Sequence, residues 1–283
     1  MRADDDPLII RFNERVRAWR VTVENSFETE SSLIGFGRQQ SHRAVVLKVV
    51  KRPGDEWNSG RMLDAFDGEG MTRVYEHVEG AMLLERLEPA TSLSTLVVDG
   101  RDEEATDIVA DVIGRIKLTE APASTPTAKE LARGFDWYRK TDDTQIPLRL
   151  LNKAERLYND LADSQTKTRL LHGDLQHYNI LHDAKRGWLA IDPKGIVGEL
   201  EYEIGASLRN PYDTPAILSA PQVIERRIKQ FASALKLDAN RILGWGFSQA
   251  VLSAIWGVED GYSVPPESVP IILANSMSKM LGI

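Results

Sequence analysis

The chain has no cysteine among its 283 residues, which excludes disulfides and thiolate chemistry. It has no apolar run long enough to cross a bilayer, and its amino terminus, Met1-Arg2-Ala3-Asp4-Asp5-Asp6, is acidic where a signal peptide is basic and then apolar. A cytoplasmic protein without a membrane partner is therefore expected. An excess of basic residues is also missing: 35 Lys and Arg against 42 Asp and Glu leave a net charge of −7. That argues against nucleic acid as a partner, because neutralising phosphates needs clustered cations, whereas an acidic surface attracts cations. Internal repeats, low-complexity linkers and a full Gly-x-Gly-x-x-Gly loop are absent as well. What remains is ordinary for a globular chain, 42% hydrophobic and 27% charged, and long enough to bury the core of one large domain or of two lobes.

Residues 172 to 195 carry most of the chemistry. His172-Gly173-Asp174-Leu175-Gln176-His177-Tyr178-Asn179 has the His-x-Asp-x-x-x-x-Asn spacing of a kinase catalytic loop, in which the Asp takes the acceptor hydroxyl's proton and the Asn holds Mg²⁺. Asp174 and Asn179 fill those places. Ile180-Leu181, a polar turn from Asp183 to Gly187, and the apolar run Trp188 to Ile191 then read as a β-hairpin that brings Asp192 back beside Asn179. An amide oxygen and two carboxylates make a hard oxygen site suited to Mg²⁺ on nucleotide phosphates, and the implied chemistry is phosphoryl transfer. Two other readings are weaker. His172, His177 and His182 recur every five residues where helical zinc ligands need three or four. Asp174 and Asp192 as a glycosidase pair would leave Asn179 without a purpose.

The first part of the chain looks strand-rich: Trp19 to Val23, Ser32 to Gly37, and above all Ala44 to Val50, built from β-branched and apolar residues around Lys48. A lysine in such a run commonly points to solvent from a sheet edge. In a kinase, however, the third-strand lysine contacts the α- and β-phosphates and pairs with a glutamate on the next helix. Here Asp55-Glu56-Trp57 opens a helical stretch toward Phe66; Glu56 is the expected partner and Asp55 its rival. Arg73 to His77 and Gly80 to Leu87 form a strand pair ending at Glu88-Pro89, which reads as a hinge, with the carbonyl of Glu85 and the amide of Leu87 facing the adenine edge and Leu84 behind it. From Ser92 helical patterns dominate, at Asp102 to Leu118, Leu131 to Tyr138, Leu148 to Leu161, Pro221 to Leu235, Ala239 to Trp256 and Pro270 to Met280. The expected class is α+β: a small β-rich N-lobe over residues 1–87 and a larger α-rich C-lobe over 88–283.

The run His172 to Leu181, followed by Trp188-Leu189-Ala190-Ile191-Asp192-Pro193-Lys194-Gly195-Ile196-Val197-Gly198-Glu199, resembles the aminoglycoside phosphotransferases, and within them the streptomycin 6-kinase, or aminoglycoside/hydroxyurea resistance, branch. Leu252-Ser253-Ala254-Ile255-Trp256 with Glu259-Asp260-Gly261 is similar to the same branch. The resemblance implies a kinase-like two-lobed fold that moves the γ-phosphate of ATP to an antibiotic hydroxyl. It implies Asp174 as base, Asn179 and Asp192 as Mg²⁺ ligands, Lys48 as phosphate contact with Glu56 as its pair, and Glu203 as a brace for the catalytic loop. Ser31-Ser32-Leu33-Ile34-Gly35-Phe36-Gly37 departs from the usual glycine-rich loop, leaving the amides of Ser31 and Ser32 to cradle phosphate.

An aminoglycoside is a polycation covered in hydroxyls, so its pocket should present carboxylates and aromatic faces. The candidates for this small cationic acceptor are Glu199, Glu259 and Asp260, with Glu201 and Trp256 behind them. Two alternatives stand: a kinase of another hydroxylated or amine metabolite, since fold does not fix substrate, and a nucleotide-binding pseudokinase, against which the intact Lys48, Asp174, Asn179 and Asp192 speak.

Overall fold

The computed structural model describes residues 6–54 and 56–283; the acidic residues 1–5 and Asp55, the rival to Glu56, lie outside the described residues. The chain begins with a helix the hydrophobic pattern does not announce, α1 (Pro7–Ala18). Its start is local chemistry: the Asp6 carboxylate accepts the Leu8 N–H at 2.8 Å and Pro7 takes the first turn, where its missing N–H costs nothing. Trp19 is the C-cap of this helix and not the start of a strand.

The strands β1 (Val21–Glu28), β2 (Ser32–Gln39) and β3 (Ala44–Val50) follow, then α2 (Ser59–Phe66), β4 (Val74–Val78), β5 (Ala81–Glu85) and β6 (Pro89–Ser92). β1 to β5 form an antiparallel sheet in the order β1-β2-β3-β5-β4. β3 is its centre, with Val45, Leu47 and Val49 fully buried beside Leu33, Leu83 and Phe12 of α1. The helix after Glu56 starts at Ser59, later than the sequence pattern predicts.

Next come α3 (Ser94–Val98), α4 (Asp102–Arg115), α5 (Arg133–Tyr138), α6 (Leu148–Asp163) and β7 (Arg169–Leu171). A hairpin of β8 (Ile180–Asp183) and β9 (Gly187–Ala190), the one expected from the alternating runs, leads to β10 (Ile196–Gly198) and then to α7 (Leu200–Leu208), α8 (Pro215–Leu218), α9 (Pro221–Leu235), α10 (Ala239–Glu259) and α11 (Val269–Met280). α10 is buried along most of its length, packed by α5, α6, α7, α9 and α11. No helix among the described residues is long and apolar enough to cross a membrane.

The chain divides into two compact units. One comprises the described part of Met1–Thr91 with Arg115–Pro122 and Leu181–Lys194; the other comprises Ser92–Gly114, Ala123–Ile180 and Gly195–Ile283. The division is thus no single cut near residue 88. Residues 181–194 cluster with the N-terminal sheet because the hairpin turn is bonded to it. Ala184 N–H donates to the Glu88 carbonyl at 2.7 Å, the Asp183 carboxylate accepts the Glu88 N–H at 3.1 Å, and Arg186 pairs with Glu85 while donating to the carbonyl of Met71 at 3.2 Å.

Candidate active site

In the sheet unit, Lys48 is the organising residue. Strand alternation on β3 turns it to the face opposite Leu47 and Val49, where it is 5% exposed. Its Nζ lies 2.9 Å from Glu56 Oε2 and 2.8 Å from Asp192 Oδ1. Burial works to lower the Lys48 pKa, but Asp192 and Glu56 outweigh it and the group is held above its ordinary value. For Glu56 burial works upward, and the Lys48 cation, helped by the Ser31 and Ser32 hydroxyls, brings the carboxyl below its ordinary value. Asp192 follows the hairpin with φ of 55°, a left-handed conformation that costs a non-glycine residue energy and is typical of functional turns.

Two of the expected nucleotide-contact groups already have partners within the sheet unit. The Ser32 N–H is spent on Thr29 Oγ1 at 3.0 Å, and the Ser32 hydroxyl reaches Glu56 at 3.4 Å, so Ser32 supports the ion pair and its amide offers no cradle. Ser31 is the remaining amide of the turn. The Glu85 carbonyl faces Thr72, whose hydroxyl donates to it at 3.4 Å, because the same edge of the residue directs its N–H to the Arg73 carbonyl at 2.8 Å. The Leu87 amide makes no hydrogen bond with any of the described residues and stays available.

In the helical unit, Asp174 sits on a loop whose path is dictated by its neighbours. Gly173 has φ of +83°, and a Cβ there would meet Ile196 at 2.8 Å, so only glycine fits. Glu203 of α7, 4% exposed, accepts the N–H of Gly173 at 3.0 Å and of Leu175 at 3.3 Å. Burial pushes its pKa up, the nearby His172 and the loop amides working the other way. Its carboxylate braces the loop through these amides. Ser207 of α7 adds a hydrogen bond to the Leu175 carbonyl at 2.7 Å. Asn179 donates its Nδ2 to the Asp174 carbonyl at 2.9 Å, which leaves the amide oxygen as an unspent acceptor among the described residues. His177 is buried on the same loop with burial, then Arg227, driving its pKa well down; it is a neutral core group and no metal ligand. No cluster of three or more metal-ligating His, Asp or Glu occurs among the described residues.

The acceptor candidates separate. Glu199 is 5% exposed and its Oε1 receives Arg241 Nη2 at 2.6 Å and the indole N–H of Trp245 at 2.5 Å. It is a buried structural anion, not a pocket wall, because α10 supplies a cation and an N–H that claim it. Glu259 and Asp260 are exposed at the end of α10. Glu201 receives the Asp238 N–H at 3.4 Å, and Trp256 is half-buried beneath Arg209.

Sequence reasoning missed Arg209, whose Nη2 lies 3.9 Å from Asp174 Oδ1, and a pair of rings beside the loop, Tyr178 and the exposed Tyr212, with centroids 5.0 Å apart. An arginine following a helix carries no local signal; only the fold brings it to Asp174.

An antiparallel sheet with a buried, doubly paired lysine and a helical unit carrying a braced Asp-to-Asn loop define a phosphotransferase of the kinase fold. The fold is shared with a crystallised aminoglycoside phosphotransferase, APH(4)-Ia in a thermostable mutant form, at TM-score 0.65 and 15% identity over 98% of this chain and 100% of that one. Residues 18–261 match the aminoglycoside/hydroxyurea antibiotic resistance kinase family, and the chain belongs to it. Similar members are the streptomycin 3''-kinase of Klebsiella pneumoniae, 29% identical over 93% of this chain and 98% of that protein, and the streptomycin 6-kinase of Streptomyces griseus, 27% identical over 77% and 71%.

Proposed function

We propose that this phosphotransferase moves the γ-phosphate of ATP to a hydroxyl of a streptomycin-like aminoglycoside, with Asp174 accepting the hydroxyl proton and Lys48 contacting the nucleotide phosphates. The observation that carries the reading is Lys48 itself, buried yet charged between Glu56 at 2.9 Å and Asp192 at 2.8 Å. A phosphate-binding lysine must be kept ionised and aimed, and two carboxylates at its ammonium do both. The Ser31 amide and the open Leu87 amide are the expected backbone contacts to phosphate and adenine.

Mg²⁺ is the cation this reading implies. Asp192, whose side chain is 30% exposed, offers a carboxylate oxygen on the sheet unit, and Asn179 offers an amide oxygen on the helical unit; Mg²⁺ commonly uses one or two protein oxygens and completes its shell with phosphates and water. Such an ion would neutralise and orient the phosphates. Lys48 and Asp174 supply the rest: a fixed charge for the nucleotide and a base for the acceptor.

The two streptomycin kinases are the relatives that point to the acceptor. Glu259 and Asp260 are the exposed carboxylates to meet its cationic groups. A second reading, a small neutral hydroxyl compound of the hydroxyurea kind that the family's description names, is favoured by Arg209: a fixed cation 3.9 Å from Asp174 does not welcome a positive group next to the reacting hydroxyl. The test is ATP consumption over streptomycin, other aminoglycosides and hydroxyurea, with and without Mg²⁺ and over a salt series. For a polycation, KM rises with salt as the Debye length falls from about 10 Å at 0.1 M to about 3 Å at 1 M, and Glu259→Gln or Asp260→Asn raises it further. A best acceptor that is neutral, with salt-independent KM, selects the second reading; no phosphoryl transfer to any of them overturns both.

A further inference from the structure

We propose that Arg209 is a positioning residue for Asp174, held in place by Gln249 of α10. The proposal rests on the reading of Asp174 as the base.

A carboxylate acts as a general base only when a lone pair points at the proton to be taken, and a solvent-facing aspartate is otherwise free to swing about its last bond. Asp174 is 25% exposed, yet both its oxygens have neighbours. Oδ2 lies 3.4 Å from Asn179 Nδ2, and Oδ1 lies 3.9 Å from Arg209 Nη2. The second distance exceeds a hydrogen bond, so Arg209 aligns the carboxylate as an oriented charge without occupying the lone pair that must receive the substrate proton.

Arg209 is well suited to that task because it is itself fixed. Its Nη1 donates to Gln249 Oε1 at 2.8 Å, and its guanidinium carbon lies 5.9 Å from the centroid of the Trp256 ring. Gln249 is 2% exposed and anchored in turn, its Nε2 donating to the Tyr202 carbonyl at 2.7 Å. A Cβ on Gly205 would meet Gln249 Oε1 at 2.4 Å, so α7 and α10 leave the amide one seat. The backbone on either side of Arg209 is fixed too: buried Arg227 donates from Nη1 to the carbonyls of Ser207 at 2.9 Å and Asn210 at 2.8 Å. The planar fork of arginine is what lets one Nη hold Gln249 while the other faces Asp174; a lysine has one point charge and cannot do both.

The experiment is a double-mutant cycle on the full-length protein, with kcat, the KM for MgATP and thermal melting read for each variant. Arg209→Met lowers kcat by roughly 10- to 100-fold, the range for a misplaced catalytic group, with the KM for MgATP unchanged within about twofold. Gln249→Met gives part of that loss. The pair together is no worse than Arg209→Met alone, because the relay is already broken. Arg209→Lys recovers part of kcat by restoring the charge. Wild-type kcat in Arg209→Met overturns the proposal, as do losses that multiply in the double mutant or a KM for MgATP that rises in step with the fall in kcat. If Arg209→Met fails to fold, wild-type kcat in both Arg209→Lys and Gln249→Met overturns it. A wild type without turnover on any acceptor overturns the underlying reading of function; an active wild type matched by these variants overturns only this inference.

Discussion

Lys48 Nζ and Asp192 Oδ1 are 2.8 Å apart, which joins the third strand of the sheet to the residue that follows the β8–β9 hairpin. Asp192→Ala should therefore weaken MgATP binding and turnover together, by about tenfold or more each, since the same carboxylate holds Lys48 and is the proposed ligand for the cation. Calorimetric titration with MgATP alongside steady-state rates checks it. Unchanged affinity and rate in the variant would remove Asp192 from the site.

Asp174→Asn keeps the shape of the loop and removes the proposed base. Turnover should fall by roughly 10² to 10⁴, the usual worth of general-base assistance, while nucleotide affinity stays nearly unchanged because the proposed base acts on the acceptor. Rates within a few-fold of wild type would sink the assignment.

The Glu56 carboxyl, held below its ordinary value by Lys48 against the opposing effect of burial, links this pair to pH. A carboxyl depressed in the folded state stabilises the protein above its unfolded pKa of about 4.3, and that contribution is lost as pH falls through the folded value. Melting temperatures measured from pH 7 down to pH 3 should show an acid-side decline that is shallower in Glu56→Gln. Parallel curves would mean the pair contributes nothing to the acid limb.

Glu199 is buried with Arg241 and Trp245, so Glu199→Ala strands a cation and an indole N–H. The expected cost is about 3 kcal/mol of stability, at the low end for breaking a buried pair because Arg241 is partly exposed. Acceptor KM should not change in the fraction that remains folded. A raised acceptor KM with unchanged melting temperature would return Glu199 to the acceptor pocket.

The sequence shows what is local and repetitive. β3 is legible because four valines stand among the seven residues from Ala44 to Val50, and the hairpin because two apolar runs flank a polar turn. The brace role of Glu203 follows from the family pattern, and the structure supplies its partners, the amides of Gly173 and Leu175. The opening helix was marked only by Asp6-Pro7, a capping signal easily passed over when hydrophobic periodicity is weak.

Charged residues are where reading the chain misleads. Glu199 reads as a pocket wall because a glutamate is exposed by default, and its cation and N–H stand 42 and 46 residues further on. The Ser32 amide and the Glu85 carbonyl meet partners the chain does not announce, the hydroxyls of Thr29 and Thr72. Arg209 is reached only by folding, through a glutamine on a helix 40 residues away.

Glu56, Lys48 and Asp192 sum to one positive and two negative charges, a net negative balance around a buried ammonium. A bare polyphosphate arriving there meets net repulsion, and Lys48 is already claimed on both sides. A polyphosphate escorted by a divalent ion arrives with about half that negative charge, and on the proposed reading the ion gives Asp192 a stronger partner than the lysine, freeing the ammonium to turn toward phosphate. On the proposed reading the resting trio would act as an electrostatic turnstile, favouring complexed over free nucleotide before any part of the acceptor is engaged.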